Sequence, residues 1–180
     1  MNPGIIGLVN QGEFRKPDEW GTLRAWSWGP SKALDYLQTE KSINPKQIGI
    51  EGHSRWGKTA MLAAAMDTRY AIVFSSCSGS GGASLEKRNF GENLGVIAGE
   101  SEYHWMAPNF VKYGGDWQAL PVDAHDMMAL IDHCLSWVGP KTFGPIRSEN
   151  LKLASRQRLS MSYWAKRVSP HWKYPPPVRR

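Results

Sequence analysis

The sequence predicts an α/β fold in which helices cover a parallel β-sheet. Two short apolar runs, residues 47–51 and 71–76, have the length and composition of buried strands. A segment of strong helix formers, residues 58–66, lies between them. Alternation of strand, helix and strand favours a parallel sheet with helices packed on it.

The first 46 residues predict one further strand and one long helix. Residues 5–9 form a short apolar run before a polar turn, and we expect a buried strand there. Apolar side chains recur at roughly helical spacing over residues 18–37, which predicts a helix that opens at its two acidic residues. The Gly29-Pro30 pair predicts a break or kink midway. Residues 42–46 predict a turn.

Regular structure becomes sparser after the second strand. Residues 77–82 are predicted to be a glycine-rich turn, and the aromatic and polar residues 83–119 are predicted to be mostly loops. Residues 122–135 are compatible with one more helix. No periodic pattern continues beyond them, and we find no internal repeat.

The length indicates one domain, or part of a larger one, and the charge is concentrated in a basic C-terminal segment. The chain has 180 residues and a formal net charge of +6. Residues 1–144 hold 13 basic and 15 acidic side chains, whereas residues 145–180 hold 9 basic and 1 acidic. A basic tail of this kind can bind nucleic acid or an anionic membrane, which gives one minor hypothesis of function.

Composition excludes several classes of protein. An apolar content of 41% excludes wholesale disorder, and no apolar run is long enough to cross a membrane. The first residues lack the charged head, apolar run and cleavage site of a signal peptide. Two cysteines, Cys77 and Cys134, form neither a disulfide framework nor a zinc site, so we expect no metal.

The strongest local signal is Ser54, which falls between a predicted strand and a predicted helix. A serine on such a sharp turn presents its hydroxyl above the sheet edge, where the backbone N–H of Arg55 faces any oxyanion. Gly52 and Gly57 allow close packing of turn and helix. Trp56 takes the place of the last glycine in the usual G-x-S-x-G pattern. The alternative is a serine that caps the following helix.

Several motifs, in this order along the chain, resemble bacterial members of the glucuronoyl esterases, carbohydrate esterase family 15. The resemblance covers residues 5 to about 131 and centres on the GHSRWGK segment at residues 52–58. The other matching segments are DEWGTLRAW (18–26), DY (35–36), SGSGGA (78–83), RNFGE (88–92), HW (104–105), NF (109–110) and LPVDAH (120–125).

The resemblance implies an α/β-hydrolase, a three-layer αβα sandwich, of which this chain is a central fragment incomplete at both ends. It implies a serine carboxylesterase that cleaves esters between lignin alcohols and the 4-O-methyl-glucuronic acid groups of xylan, with no cofactor. The expected partner is therefore glucuronoxylan or a lignin-carbohydrate ester, not a nucleic acid or a membrane, and oligomeric state is left open. It also implies secretion or a periplasmic location.

The resemblance also implies roles for individual residues. Ser54 would be the nucleophile, Arg55 would help to form the oxyanion pocket, and Lys58 would hydrogen-bond sugar hydroxyls. A solvated lysine is the alternative for Lys58. Trp105 would stack on a sugar ring, with core packing as its alternative. Arg88 and Glu92 are one turn apart if helical, so they form either an ion pair or a substrate contact.

The chain departs from the family pattern at the other catalytic positions. Cys77 occupies the place where many members carry the catalytic acid, and a thiol does not orient a histidine by charge as a carboxylate does. The catalytic histidine is not evident, and we expect it beyond residue 180. We consider none of the histidines present a convincing base; they are His53, His104, His125, His133 and His171.

The departures affect both the division of the chain and its function, for which two rival hypotheses remain. We divide the chain into residues 1–131, the hydrolase part, and residues 132–180, a non-family basic tail that is an out-of-frame or disordered segment or, alternatively, a genuine extension. The first rival function is a catalytically inactive truncated homologue. The second is a related acetyl xylan esterase.

Overall fold

Three parallel strands form one sheet in the computed structural model, which describes residues 4–88, 91–131 and 134–137. The strands, in sheet order, are β1 (Gly49–His53), β2 (Ile72–Ser76) and β3 (Cys134–Trp137). β1 pairs with β2 from Gly49 opposite Ile72 to His53 opposite Ser76. The predicted parallel sheet is therefore confirmed, with the first strand two residues later than expected.

Helices and short 3₁₀ turns connect and cover the strands. The α-helices of the described residues are α1 (Gly4–Val9), α2 (Thr22–Leu37), α3 (Arg55–Met66), α4 (Leu94–Ile97) and α5 (Ala124–Ala129). The 3₁₀ turns are Glu86–Arg88, Tyr103–Trp105, Pro108–Tyr113 and Trp117–Ala119. Every helix in this part of the chain is too short or too polar to cross a bilayer.

The main core lies between the sheet and α3, which also packs against α2. Leu34 of α2, Met61 of α3 and Val73 of β2 are fully buried in one cluster. Burial of each such side chain stabilises the fold by about 2 kcal/mol. Alanines on α3 let the helix approach the sheet closely, and this packing fixes the residues at the N-terminal end of α3.

Three predictions for the first part of the chain need correction. Residues 5–9 lie in helix α1, because a five-residue apolar run does not distinguish a strand from a short helix. The second helix begins at Thr22, because Gly21 is extended and a side chain there would overlap the backbone of residues 105–106. Pro30 lies inside the continuous helix α2, so the predicted break does not occur, and the alternative of a kink stays a prediction.

The predictions for the later elements are mixed. The strand predicted at residues 71–76 is confirmed and begins one residue later. The prediction of mostly loops over residues 83–119 is only partly right, because the described part of this range holds the four-residue helix α4 and four 3₁₀ turns. The helix predicted over residues 122–135 has six residues, and strand β3 takes the place of its last part. Asp123 begins α5 through a capping box with Asp126, so the cap defines its start. β3 lies beyond residue 131, and the division of the chain there stays a prediction.

Candidate active site

The turn between β1 and α3, which we call the elbow (residues 52–57), places Ser54 in an uncommon backbone conformation. Ser54 has φ +56° and ψ −124°, and residues with a side chain seldom adopt a positive φ. Its N–H donates to the carbonyl of Ser76 at the end of β2, at 2.8 Å. Its side chain is exposed and makes no capping hydrogen bond, so the alternative of a helix-capping serine is wrong.

Two glycines make this turn possible. A Cβ atom on Gly52 would lie 2.1 Å from the carbonyl oxygen of Trp56, closer than any real contact. A Cβ atom on Gly57 would lie 3.0 Å from the carbonyl oxygens of both Gly52 and Ser76. The elbow is therefore closed by backbone packed on backbone, as the sequence predicts for these two glycines.

Arg55 and Trp105 lie together on one side of the elbow. The Arg55 guanidinium carbon lies 5.4 Å from the centre of the Trp105 ring, within the range of a cation–π contact. Trp105 is only 6% exposed and packs with Leu23 and Ile97 in a second core cluster. The structure thus gives Trp105 a packing role, and its predicted contact with a sugar ring stays a prediction.

Lys58, one helical turn after Ser54, is buried rather than solvated. Its side chain is 4% exposed, and its Nζ donates to the carbonyls of Ser78 and Ser80, each at 2.5 Å. The same Nζ lies 3.5 Å from Oε2 of Glu92. Burial lowers the pKa of Lys58, and the neighbouring carboxylate of Glu92 opposes that shift. The alternative of a solvated lysine is wrong, while the sugar contact stays a prediction.

The segment after β2, which we call the Ser80 loop (residues 77–88), is held by two carboxylates that the sequence analysis missed. Glu86 is 7% exposed and accepts hydrogen bonds from the Ser80 hydroxyl at 2.9 Å and from the Gly81 N–H at 2.5 Å. Asp123 accepts from the backbone N–H groups of Glu86 and Lys87. No local pattern predicts a contact between residues 37 positions apart, so the sequence carried no signal for it.

The structure describes Cys77, which stands at the expected acid position, and three histidines, none of which the sequence indicates as the base. Cys77 follows β2 directly, is half-buried and has φ +48°, so its backbone is also strained. His53 Nδ1 lies 3.2 Å from Oγ of Ser76. The His104 ring contacts the rings of Tyr103 and Trp105, and Nε2 of His125 lies 3.4 Å from Oδ1 of Asp126.

Other predictions at the site fall outside the described residues or need correction. His133 lies outside them, as does His171. The proposed pair of Arg88 and Glu92 is not formed: in the described ranges, the ion pair of Glu92 is with Lys58. The cause is that residues 86–88 form a 3₁₀ turn, so no α-helix aligns the two side chains.

Comparison with known proteins shows similarity over most of the described residues. The model of a family described as glucuronyl esterase, fungi, matches residues 13–136. A carbohydrate esterase from an unidentified prokaryote is 45% identical over 112 residues, which are 62% of this chain and 26% of that protein. A 4-O-methyl-glucuronoyl methylesterase from Podospora anserina is 35% identical over 120 residues, 62% of this chain and 25% of that protein. The chain spans about a quarter of the length of these curated relatives.

Solved structures are similar in fold as well as in sequence. A glucuronoyl esterase of carbohydrate esterase family 15 from Teredinibacter turnerae is 43% identical with a TM-score of 0.77, over 88% of this chain and 40% of that one. A serine-to-alanine mutant of the Sporotrichum thermophile enzyme, in complex with methyl 4-O-methyl-β-D-glucopyranuronate, is 27% identical with a TM-score of 0.63, over 76% of this chain and 40% of that one. These similarities confirm the α/β-hydrolase fold.

Proposed function

The chain belongs to the glucuronoyl esterase family, and from that membership we propose that the protein is a serine esterase with Ser54 as its nucleophile. The observation that carries the proposal is the backbone of Ser54, which has a positive φ on a strand–turn–helix elbow and an exposed side chain. A strained conformation of this kind is costly, by about 1–3 kcal/mol, and is typical of functional sites. The elbow also lies within residues 13–136, which the family model matches.

The chemistry that we propose at this elbow is acyl transfer. Ser54 Oγ attacks the carbonyl carbon of a uronate ester, and the hydroxyl proton passes to a general base. The backbone N–H of Arg55, at the N-terminus of α3, then donates to the oxyanion. The alcohol leaves with a proton, and water releases the uronic acid from Ser54 in a second attack. Among the histidines that the structure describes, none makes a hydrogen bond with Ser54, so the base is left unassigned.

The substrate class that we propose is an ester of 4-O-methyl-glucuronic acid, as carried by glucuronoxylan and lignin-carbohydrate esters. Two comparisons support it: the names of the fungal relatives, and the methyl ester of this uronic acid bound to the Sporotrichum thermophile mutant. Lys58 and Trp105 are the residues that we propose on the sugar side. A polymer of this kind lies outside the cell, so we also propose that the enzyme is exported.

Substitution of Ser54 tests the proposal. Ser54→Ala in the full chain is expected to lower kcat for methyl 4-O-methyl-glucuronate by at least about 10³-fold, because the group that forms the acyl-enzyme is lost. Ester hydrolysis is measured by release of acid or methanol. Ser42→Ala, at an exposed serine in a turn, is the matched control and should retain full activity. If Ser54→Ala were as active as the unsubstituted protein, this serine would not be the nucleophile.

A second candidate is a homologue that binds the sugar without turnover. The observation that favours it is Cys77, which places a thiol where many family members carry an acid. The same assay separates the candidates, because a non-catalytic protein gives no Ser54-dependent turnover on the methyl ester. Acetylated xylan as a parallel substrate separates a glucuronoyl esterase from an acetyl xylan esterase, since both need Ser54 but release different acids.

A further inference from the structure

Ser80 is the residue at which three charged groups meet, two of them buried (Lys58 and Glu86) and one partly exposed (Glu92). Its carbonyl oxygen accepts a hydrogen bond from Lys58 Nζ, and its N–H donates to Oε2 of Glu92 at 2.9 Å. Its hydroxyl donates to Oε2 of Glu86, also at 2.9 Å. Ser80 is fully buried, so each of its polar atoms depends on one ionisable side chain.

Glu86 also joins this arrangement to a second part of the molecule. Its second oxygen accepts from the N–H of Gly81, a residue with φ +67°, and its own N–H donates to Oδ1 of Asp123. Asp123 caps α5, so Glu86 connects the Ser80 loop to a helix that packs on α3. The Glu86 carboxylate therefore fixes Ser80 and Gly81, and the backbone of Glu86 is itself bound to Asp123 at the start of α5.

The loop in turn fixes the groups nearest to Ser54. Lys58 lies one helical turn after Ser54, and its backbone N–H donates to the carbonyl of Ser54 at 3.1 Å. Two of the groups that surround the Lys58 ammonium are carbonyls of the Ser80 loop. A shift of Ser80 would displace that ammonium and Glu92 together.

We propose that Glu86 is a positioning residue of the esterase site, because it holds the Ser80 and Gly81 backbone that fixes the Lys58 ammonium. The inference rests on the esterase function proposed above. Glu86 does not touch the reacting atoms; it acts through the loop. It should therefore control how well the sugar part of the substrate binds, and so KM, more than the chemical step at Ser54.

The charge of Glu86 matters because both oxygens of an ionised carboxylate are strong acceptors, one for the Ser80 hydroxyl and the other for the Gly81 N–H. Burial raises the pKa of Glu86 above its ordinary value of 4.5; Asp123 adds to the shift, while the Gly81 N–H, the Ser80 hydroxyl and Lys58 oppose it. Protonation of Glu86 turns one of its two oxygens into a hydroxyl, which is a poor acceptor. KM should therefore rise as the pH falls through this raised pKa, with Glu92 and Glu102 the other carboxylates that face Lys58.

The test uses Glu86→Gln and Ser80→Ala in the full chain, with kcat and KM measured for methyl 4-O-methyl-glucuronate across the acid pH range. Glu86→Gln is expected to raise KM about tenfold at neutral pH, the effect of one buried hydrogen bond to a charged group, and to leave kcat within about twofold. The rise in KM at low pH should disappear in this variant. Leu34→Val, a core variant of α2, is the control for general destabilisation and should leave KM unchanged.

A double-mutant cycle makes the test independent of overall stability. If Glu86 acts through Ser80, the KM effects of Glu86→Gln and Ser80→Ala should be less than additive. An unchanged KM in Glu86→Gln, or an equal rise in Leu34→Val, would overturn the proposal. If Glu86→Gln does not fold, Ser80→Ala must by itself raise KM about threefold, since it removes only the hydroxyl contact. Retained turnover in Ser54→Ala would instead refute the esterase function itself.

Discussion

The elbow and the Ser80 loop lie side by side, yet different forces hold them in place. In the elbow, backbone packs directly on backbone: Gly52 and Gly57 admit close approach, and the N–H of Ser54 bonds to the end of β2. In the Ser80 loop, buried charged side chains hold the backbone, chiefly those of Lys58 and Glu86.

This difference has a consequence for how each region can fail. A turn closed by glycines fails when volume is added, because the surrounding backbone has no room to move. A loop held by buried ions fails when charge is removed, because the remaining polar groups stay buried without partners. Added volume should therefore destabilise the elbow, and removed charge should destabilise the Ser80 loop. Three substitutions test how the two regions are held, two at the elbow and one that acts on the Ser80 loop.

The largest effect is expected from a methyl group added to the elbow. Gly52→Ala would place a Cβ atom 2.1 Å from the carbonyl oxygen of Trp56, so strand β1 and helix α3 must separate. We expect the free energy of unfolding to fall by about 4 kcal/mol, at the upper end for overpacking. Denaturant unfolding of the full chain measures this loss.

Gly29→Ala is the matched control for that experiment. Gly29 lies in α2, and a Cβ atom there would meet nothing within 4 Å. The same chemical change should therefore alter the free energy of unfolding by less than about 1 kcal/mol, because the helix propensity that alanine adds is offset by the restriction that Pro30 places on the residue before it. A loss of equal size in both variants would show that lack of space at the elbow is not the cause.

An intermediate effect is expected when the buried charge of the Ser80 loop is removed. Lys58→Met retains most of the volume but leaves the carbonyls of Ser78 and Ser80 without their donor. We expect a loss of about 3 kcal/mol in the free energy of unfolding, as for other broken buried ion pairs. Lys41→Met, at an exposed lysine, should change stability by less than about 0.5 kcal/mol. Similar small losses in both variants would mean that the loop does not depend on Lys58.

The contrast also explains how much of the molecule could be predicted from its sequence. Strands β1 and β2 and the elbow follow from patterns within about 30 consecutive residues, and the glycines at positions 52 and 57 indicate the close packing that the elbow requires. Strand β3 is not predicted, because its residues are assigned to the end of a helix. The resemblance of motifs to a known family adds the identity of Ser54. Local chemistry is thus sufficient for the elbow.

The Ser80 loop could not be predicted in the same way. Lys58 looks solvated in sequence because nothing near it along the chain indicates that Ser78, Ser80 and Glu92 surround it. Arg88 looks like the partner of Glu92 only if the two lie on one α-helix, but Arg88 ends a 3₁₀ turn and Glu92 pairs with Lys58. Similarly, a five-residue apolar run does not show whether α1 is a helix or a strand. Tertiary contacts decide these cases.

The smallest effect is expected at Ser54 and concerns the free energy that its unusual backbone conformation costs. Ser54→Gly keeps the elbow but removes the Cβ atom that makes φ +56° unfavourable. Relief of about 1–3 kcal/mol of strain, less the extra chain entropy of glycine, should stabilise the protein by about 1 kcal/mol while activity is lost. Ser54→Ala is the matched control, because it loses the hydroxyl but keeps the Cβ atom and hence the strain. If thermal unfolding shows the glycine variant to be no more stable than the alanine variant, the elbow stores no strain. If it is more stable, the protein gives up stability at this residue to hold the Ser54 hydroxyl above the sheet.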